Sequence, residues 1–507
     1  MIVLGKNEHY GNRHYADYQV DEVYLSPDAR KQGTYVIGTT GTGKTTLLLN
    51  MVLQDIRNGD GLCVLDPHGD FSLDIMARVP DNRINDVIIL DPSDIEYPFG
   101  LNLFDCNRDD PRERDLVVST IIDTLHKLFA DSWGPRMEDL LRHGILSLLL
   151  TDEPVTLVHL MMIMVNYHHR QRLTENAKRK DPILRFYWED EFPENRVLKG
   201  VVQKPDRTQR ELVSSSLNKI GRFITNPVIR HIVGQPQSSV DIRQVMDEGK
   251  ILLVNLSKGD IGQDNSALLG AVFVNQILIA ALSRREIPET QRRPFHLYVD
   301  EYQNFATKTF PQLQSEARKY GIDTVVAHQF RDQLDDENQG SSLNVANIIN
   351  LRVSGKDAIE LAPQLDLTPP EKEPRFEPIV QPLGDGVYFQ NVTPGTGTNL
   401  YRMVERDTQA YSDVALETAN LLAQMPNYQA SARVLEAKPN PVDLHQFRII
   451  LADKPRVTEE AATKRIAYIR KRSRDLFAFT REEIADYIDD YTTASDEDDA
   501  TPMFDTK

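Results

Sequence analysis

Cysteine is almost missing from this 507-residue chain: only Cys63 and Cys106 occur. One bridge is the most they can form, so a disulfide-stapled scaffold is excluded and a reducing compartment is the simpler setting. Long apolar runs are also missing. No stretch reaches the roughly 18 uninterrupted apolar residues that a membrane helix needs. The nearest, 267–282, carries Asn275 and Gln276 in its middle and reads as a buried core helix. The run 145–165 is broken by Asp152, Glu153 and Pro154. The first twenty residues hold Lys6, Glu8, Arg13 and Asp17 and lack the apolar segment of a secretory signal. Positive charge is in deficit: 58 Lys and Arg against 76 Asp and Glu give a net −18. That argues against a surface coated for nucleic acid, while leaving room for a local basic groove. No fixed-period repeat is visible. The expected setting is cytoplasmic, with no direct insertion into a membrane.

What is present is ordinary globular material, 40% apolar and 26% charged, long enough for two to four domains. Short aliphatic runs bounded by Gly, Pro or Asp fall at 35–37, 62–65, 87–90, 251–254, 296–299, 324–327 and 348–353. Each is too short for a helix and too continuously apolar for a half-exposed strand, as expected of a parallel sheet covered on both faces. Helical spacing marks 45–57, 267–285 and 310–320 between them. The expected fold is α/β, a RecA-like doubly wound, mostly parallel sheet. From 101 to 248 the alternation stops and the pattern is helical, which predicts an inserted all-helical domain. The expected division is a β extension at 1–30, the P-loop domain at 31–100 and 249–405, the insertion at 101–248, a C-terminal helical region at 406–490 and an acidic disordered tail at 491–507. A strand pair is expected around 384–386. A helical hairpin is expected over 459–490, starting its second helix near Thr480.

Between the first run and the first helix lies Gly38-Thr39-Thr40-Gly41-Thr42-Gly43-Lys44-Thr45, followed by Thr46. This is a full P-loop pattern in the right strand–helix context. Small residues let backbone N–H groups turn inward around phosphates, and the helix N-terminus adds its positive end. Lys44 suits the β- and γ-phosphates of ATP, and Thr45 suits Mg²⁺. The run 296–299 ends in Asp300-Glu301: Asp300 suits the Mg²⁺ shell and Glu301 the attacking water. Gln329 closes the run 324–327 either as a γ-phosphate sensor or as a strand-end amide capping a loop. His328 reads as packing. Arg318, on the helix before that run, is either a finger toward a neighbouring subunit or a solvated charge at a helix C-terminus.

Together these residues resemble the HerA/FtsK superfamily of ring-forming, DNA-pumping ATPases, and within it the conjugative type IV secretion ATPases and coupling proteins. The likeness runs from about 20 to 357. It rests on the P-loop, Leu65-Asp66-Pro67-His68-Gly69-Asp70, Leu101-Asn102-Leu103, Trp133-Gly134-Pro135-Arg136, 251–258, Asp300-Glu301, Arg318 and Gln329. It implies Mg-ATP on Lys44 and Thr45, hydrolysis driven by Asp300 and Glu301, Arg318 as finger and Gln329 as sensor, and a homohexamer. It also makes Asp66 and His68 either pocket residues or parts of a Pro-containing turn after a buried strand, and Arg136 either a second inter-subunit Arg or simply a helix start. Coupling proteins usually carry an N-terminal anchor, whereas 37 residues precede Gly38, so a soluble translocase is the expectation.

Three readings remain open at this level. The first is a motor threading DNA, for which 166–222 offers 13 basic against 8 acidic residues. The second is a secretion or assembly ATPase that remodels protein. The third is a nucleotide-dependent hexameric scaffold for a partner, with the acidic C-terminus as a possible protein-docking element.

Overall fold

A computed structural model describes residues 1–7, 22–192, 207–307, 309–365, 411–436 and 443–493. Short strands at 196–198, 201–203, 376–378, 380–382, 388–390 and 401–403 complete the description. One 11-stranded sheet organises the chain. Its strands are β1 (Ile2–Asn7), β2 (Glu22–Leu25), β3 (Thr34–Ile37), β4 (Gly61–Asp66), β5 (Val87–Leu90), β6 (Ile251–Asn255), β7 (Phe295–Val299), β8 (Ile322–His328), β9 (Asn347–Asn350), β10 (Gln429–Glu436) and β11 (Asp443–Leu451). The order across the sheet is β2-β1-β11-β10-β9-β3-β8-β7-β4-β6-β5. From β9 to β5 every pair is parallel. From β9 to β2 every pair is antiparallel. All seven runs expected as buried strands form the parallel part, and the fold is the RecA-like α/β architecture.

The continuous apolar runs follow from burial on both faces. Along β4, Leu62 and Val64 join one core with Leu48, Val52 and Ile56 of α1 (Lys44–Asn58). Cys63 and Leu65 join the other, with Ile121 of α2 (Pro111–Leu128) and Phe273 of α3 (Gln263–Ser283). The segment Gln263–Glu286 is long and apolar enough to cross a membrane, but 83% of its apolar window is buried inside the fold. It packs on α2 and, as expected, is a core helix.

Two differences from the sequence expectation stand out. The 406–490 stretch is not helical throughout: β10 and β11 lie between its helices and extend the sheet. In β10 the inward positions are Ala430, Ala432 and Val434. Two alanines give a weak period-2 signal, and although β10 pairs with its neighbour β11, its attachment to the sheet is through β9, some eighty residues upstream, so local pattern does not reveal the strand. The helical insertion also holds a small antiparallel ribbon, Arg196–Leu198 with Val201–Gln203. Around 384–386 a ribbon pairs Val380–Pro382 with Tyr388–Gln390; 383–387 themselves lie outside the described residues. The C-terminal helices Glu459–Phe477 and Arg481–Thr493 form as expected. Thr480 and Glu483 cap the second reciprocally, the Glu483 N–H donating to Thr480 Oγ1 at 3.3 Å and the Thr480 N–H to Glu483 Oε2 at 2.8 Å. Of the acidic tail, 494–507 lies outside the described residues.

Candidate active site

Residues 38–43 turn the chain from β3 into α1. Gly41 (φ 79°) and Gly43 (φ 111°) adopt left-handed conformations that side chains disfavour. A Cβ on Gly43 would also meet the Tyr428 ring at 3.0 Å. The loop is tied to the ends of neighbouring strands. The Gly38 N–H donates to His328 O at 3.3 Å, the Thr39 N–H to Arg352 O at 2.8 Å, and the Tyr428 N–H to Thr42 O at 2.8 Å. Thr42 Oγ1 donates to Thr39 O at 2.7 Å, closing the loop on itself. No side chain caps the start of α1, so its first N–H groups face outward as an anion site requires.

β7 delivers the acidic pair beside this loop. Glu301 is left-handed (φ 47°, ψ 54°), one of two non-glycine residues with positive φ among those described. Such a conformation costs on the order of 1 kcal/mol. The turn brings its carboxylate to the P-loop. Glu301 Oε1 accepts from Lys44 Nζ at 3.1 Å and from Gln329 Nε2 at 2.7 Å, and Oε2 accepts from Gln303 Nε2 at 2.7 Å. Asn304 Nδ2 donates to Glu301 O at 2.8 Å, and Lys258 Nζ donates to Asn304 Oδ1 at 2.7 Å. Thr40 Oγ1 donates to Gln329 Oε1 at 3.0 Å. Phosphate loop, acidic pair and strand-end glutamine thus form one hydrogen-bonded chain.

The two acids are driven apart electrostatically. Burial, with Glu301 and Asp66 nearby, pushes the Asp300 carboxyl up to about 6 against the pull of Lys44. For Glu301, burial works in the same upward direction, but Lys44, Gln303 and Gln329 outweigh it and hold the carboxyl below its ordinary value. Asp300 is 4% exposed and, beyond accepting the Glu301 N–H at 2.9 Å, is a buried acid short of positive charge. A divalent cation beside Thr45 would supply it, so the residues present fit Mg²⁺.

The remaining sequence candidates divide. Thr45 is half-buried and Thr46 buried on the first turn of α1. His328 is fully buried against Tyr35, where burial first, then Lys44 and Arg331, lowers its pKa to about 3; it is a packing residue, as expected. Of the two readings of Asp66, pocket residue or turn residue, its hydrogen bonds favour the turn: both its oxygens serve the backbone. They accept the His68 N–H at 3.0 Å and the Ser72 N–H at 2.8 Å. It therefore shapes the turn into helix Asp70–Arg78 and touches the site only through its charge. His68 is exposed. Arg318 is not in this chain's own site: it precedes the seven residues of β8, and Gln329 follows them. At roughly 3.3 Å per residue the strand separates the two by about 20 Å. Arg318 is exposed and hydrogen-bonds Gln32. Arg136 is exposed at the start of helix Pro135–Leu149.

Sequence reasoning missed Gln303, Asn304, Lys258 and Tyr428. The polar run Gln303-Asn304 directly after Asp300-Glu301 was a usable signal. Tyr428 had none, because its role depends on β10 returning to the sheet.

Residues 17–166 match the family described as type IV secretion-system coupling protein DNA-binding domain. The type 4 coupling protein DotL of Legionella pneumophila is 24% identical over 362 residues, 61% of this chain and 45% of that protein. The chain thus spans less than half the length of that curated relative. The bacterial conjugative coupling protein TrwBΔN70, in an unbound form, is similar in fold with a TM-score of 0.55 at 16% identity, covering 88% of this chain and 92% of that one. TrwB in complex with ADP and Mg²⁺ gives 0.55 at 16% identity, covering 91% and 96%. With the P-loop, the acidic pair and the parallel sheet already in place, the chain is similar over residues 17–166 to the type IV coupling proteins and shares the α/β fold of TrwB.

Proposed function

We propose that this chain is an ATP-hydrolysing ring motor that moves DNA, a homohexamer of the conjugative or secretion type. The observation that carries the reading is the contact chain Lys44–Glu301–Gln329–Thr40. A protein that only senses nucleotide needs Lys44 and Asp300. A carboxylate held ionised at the same spot is what hydrolysis adds. On ATP binding, Lys44 turns to the β- and γ-phosphates, and Glu301 Oε1 is freed to take a proton from the attacking water. Gln329 stays bonded to Thr40 and Glu301, which positions it to pass the change at the γ-phosphate into β8. Thr45 and Asp300 would hold Mg²⁺, which when bound neutralises charge on the β- and γ-phosphates. Arg318, remote from its own loop, acts on a neighbouring subunit's phosphates.

The DNA surface has to be assembled from few groups. Within 166–222, Arg170 is buried and donates to Ile163 O and Met164 O, and Lys178, Arg179, Lys180 and Arg222 pair with nearby acids. The side chains of Arg196, Lys199, Lys204, Arg207 and Arg210 lie outside the described residues. Six copies of a weak patch converging on a pore make one binding surface, with little sequence preference. Fluorescence anisotropy of labelled single- and double-stranded DNA on the size-resolved hexamer tests this. Binding at 50 mM salt that falls steeply toward 200 mM supports it. No binding of either form at low salt refutes it and favours protein remodelling.

A further inference from the structure

His296 lies on β7, four residues before Asp300 and toward the other end of the strand. It is 4% exposed. Its Nδ1 is hydrogen-bonded to Asp323 Oδ2 at 2.8 Å, which directs the other ring nitrogen away from β8. That nitrogen, Nε2, is buried with no hydrogen-bond partner, an arrangement that buried polar atoms seldom keep. It sits 3.7 Å from Asp55 Oδ1 and 3.6 Å from Asp60 Oδ2. One donor atom from each of the three residues falls within 4.8 Å of the others. A cavity of about 240 Å³, lined by Asp60, His296 and Asp323, opens at the same place and leaves room for water ligands.

We propose that Asp55, Asp60 and His296 form a binding site for a divalent transition-metal ion of the zinc class. Asp323 acts as the carboxylate behind the histidine, fixing the tautomer that presents Nε2, the usual arrangement around a metal-bound imidazole. One nitrogen and two carboxylate oxygens are a donor set suited to zinc, cobalt or manganese, with water completing the shell. Charge agrees. Asp55, Asp60 and Asp323 give three negatives, Arg30 gives one positive beside Asp55 and Asp323, and, although burial opposes it, Asp323 and Asp55 hold a second on His296, so a divalent ion would bind with release of the imidazole proton. The basic residues that also line the cavity, Arg30, Lys31, Arg292, Arg318 and Lys319, make an anion the rival occupant, but Asp60 and Asp323 line it beside His296 and repel an anion there. Arg30 already contacts Asp55 Oδ1 at 2.5 Å and Oδ2 at 3.0 Å. Asp55 is therefore the shared ligand, and Asp60 with His296 the primary pair. The consequence is mechanical. Asp55 is near the end of α1 and Asp60 just beyond it, so the ion clamps the P-loop helix to the strand carrying Asp300 and Glu301.

The test uses the full chain without nucleotide, in an Asp300→Asn background, which removes the carboxylate that would hold Mg²⁺ at the phosphate site. Zinc is titrated by calorimetry, and cobalt is added as a spectral probe of tetrahedral coordination. One ion per chain is expected, with a raised melting midpoint. Affinity should fall at least about tenfold in Asp60→Asn, with circular dichroism unchanged, and likewise in His296→Gln. Should His296→Gln fail to fold, the half-buried Asp60→Asn decides. Absence of saturable uptake overturns the site, as does an affinity that Asp60→Asn leaves unchanged. Inorganic phosphate binding at Asp60 in place of zinc overturns it equally.

Discussion

Replacing Glu301 with Gln separates the two jobs proposed for its carboxylate, holding Lys44 and accepting a proton. Without nucleotide, Glu301 Oε1 holds Lys44 Nζ at 3.1 Å, and both side chains are 7% exposed. ATP therefore competes with Glu301 for the lysine. A hydrogen bond to a charged group contributes about 1.5–3 kcal/mol net, and each 1.4 kcal/mol is tenfold in affinity. Glu301→Gln keeps the shape but removes the charge, which weakens the competing contact and leaves Lys44 readier for phosphate. The variant should bind ATP about tenfold tighter than wild type. Turnover should fall at least about a hundredfold, because the proton acceptor is gone. Equilibrium binding of a fluorescent ATP analogue and a steady-state phosphate-release assay read the two effects separately. Tighter binding with lost turnover is the expected pair. Wild-type turnover would show that Glu301 is not the base. Weaker binding would show that the Lys44–Glu301 contact does not oppose ATP.

Other outcomes follow from the same geometry. Arg318→Ala and Lys44→Ala subunits, each inactive alone, should partly rescue turnover when mixed, since some interfaces then pair an intact loop with an intact finger; no rescue in confirmed mixed rings removes the trans role and makes Arg136 the next candidate. His159 caps its helix with Thr156 and stacks on Tyr491, and burial first, then Arg172, His169 and Arg108, lowers its pKa to about 3. Below pH 6.5 the unfolded chain takes a proton there that the folded one refuses, so stability drains away as pH falls from about 6.5 toward 3. At pH 4.5 that is two pH units, about 2–3 kcal/mol. Urea melts at pH 7 and pH 4.5 should show the loss, and His159→Gln should remove its own share while leaving the like share of buried His328. Leu48→Ala, in the core between α1 and the sheet, should cost about 2–5 kcal/mol; a smaller change in the urea midpoint would mean that α1 is more loosely seated than its burial indicates.

The parallel half of the sheet was legible because a strand buried on both faces leaves an unbroken apolar run, and seven such runs stood in the sequence. The P-loop was legible because its chemistry is local: the glycines, Lys44 and Thr45 are covalent neighbours. Asp300 and Glu301 were legible as the polar end of an apolar strand. What escaped depends on contacts distant in sequence. β10 buries small residues against a partner far upstream, and only that pairing brings Tyr428 onto Gly43 and Thr42. Asp66 shows the converse limit. The resemblance offers it as a pocket residue and its Pro-containing setting as a turn residue, and only the structure shows two backbone N–H groups within six residues using its oxygens. Arg318 could be placed before β8 by sequence, and only the strand's direction shows that it lies at the far end from its own phosphate loop.

ATP turnover by the size-resolved oligomer, measured with and without DNA at low salt and with Lys44→Ala as the blank, tests the central claim most directly. DNA of either strandedness should raise Mg-dependent turnover, the stimulation should fade as salt rises, and Lys44→Ala should show neither basal nor stimulated activity. An oligomer that hydrolyses ATP at one rate whether or not DNA is present would contradict the DNA motor.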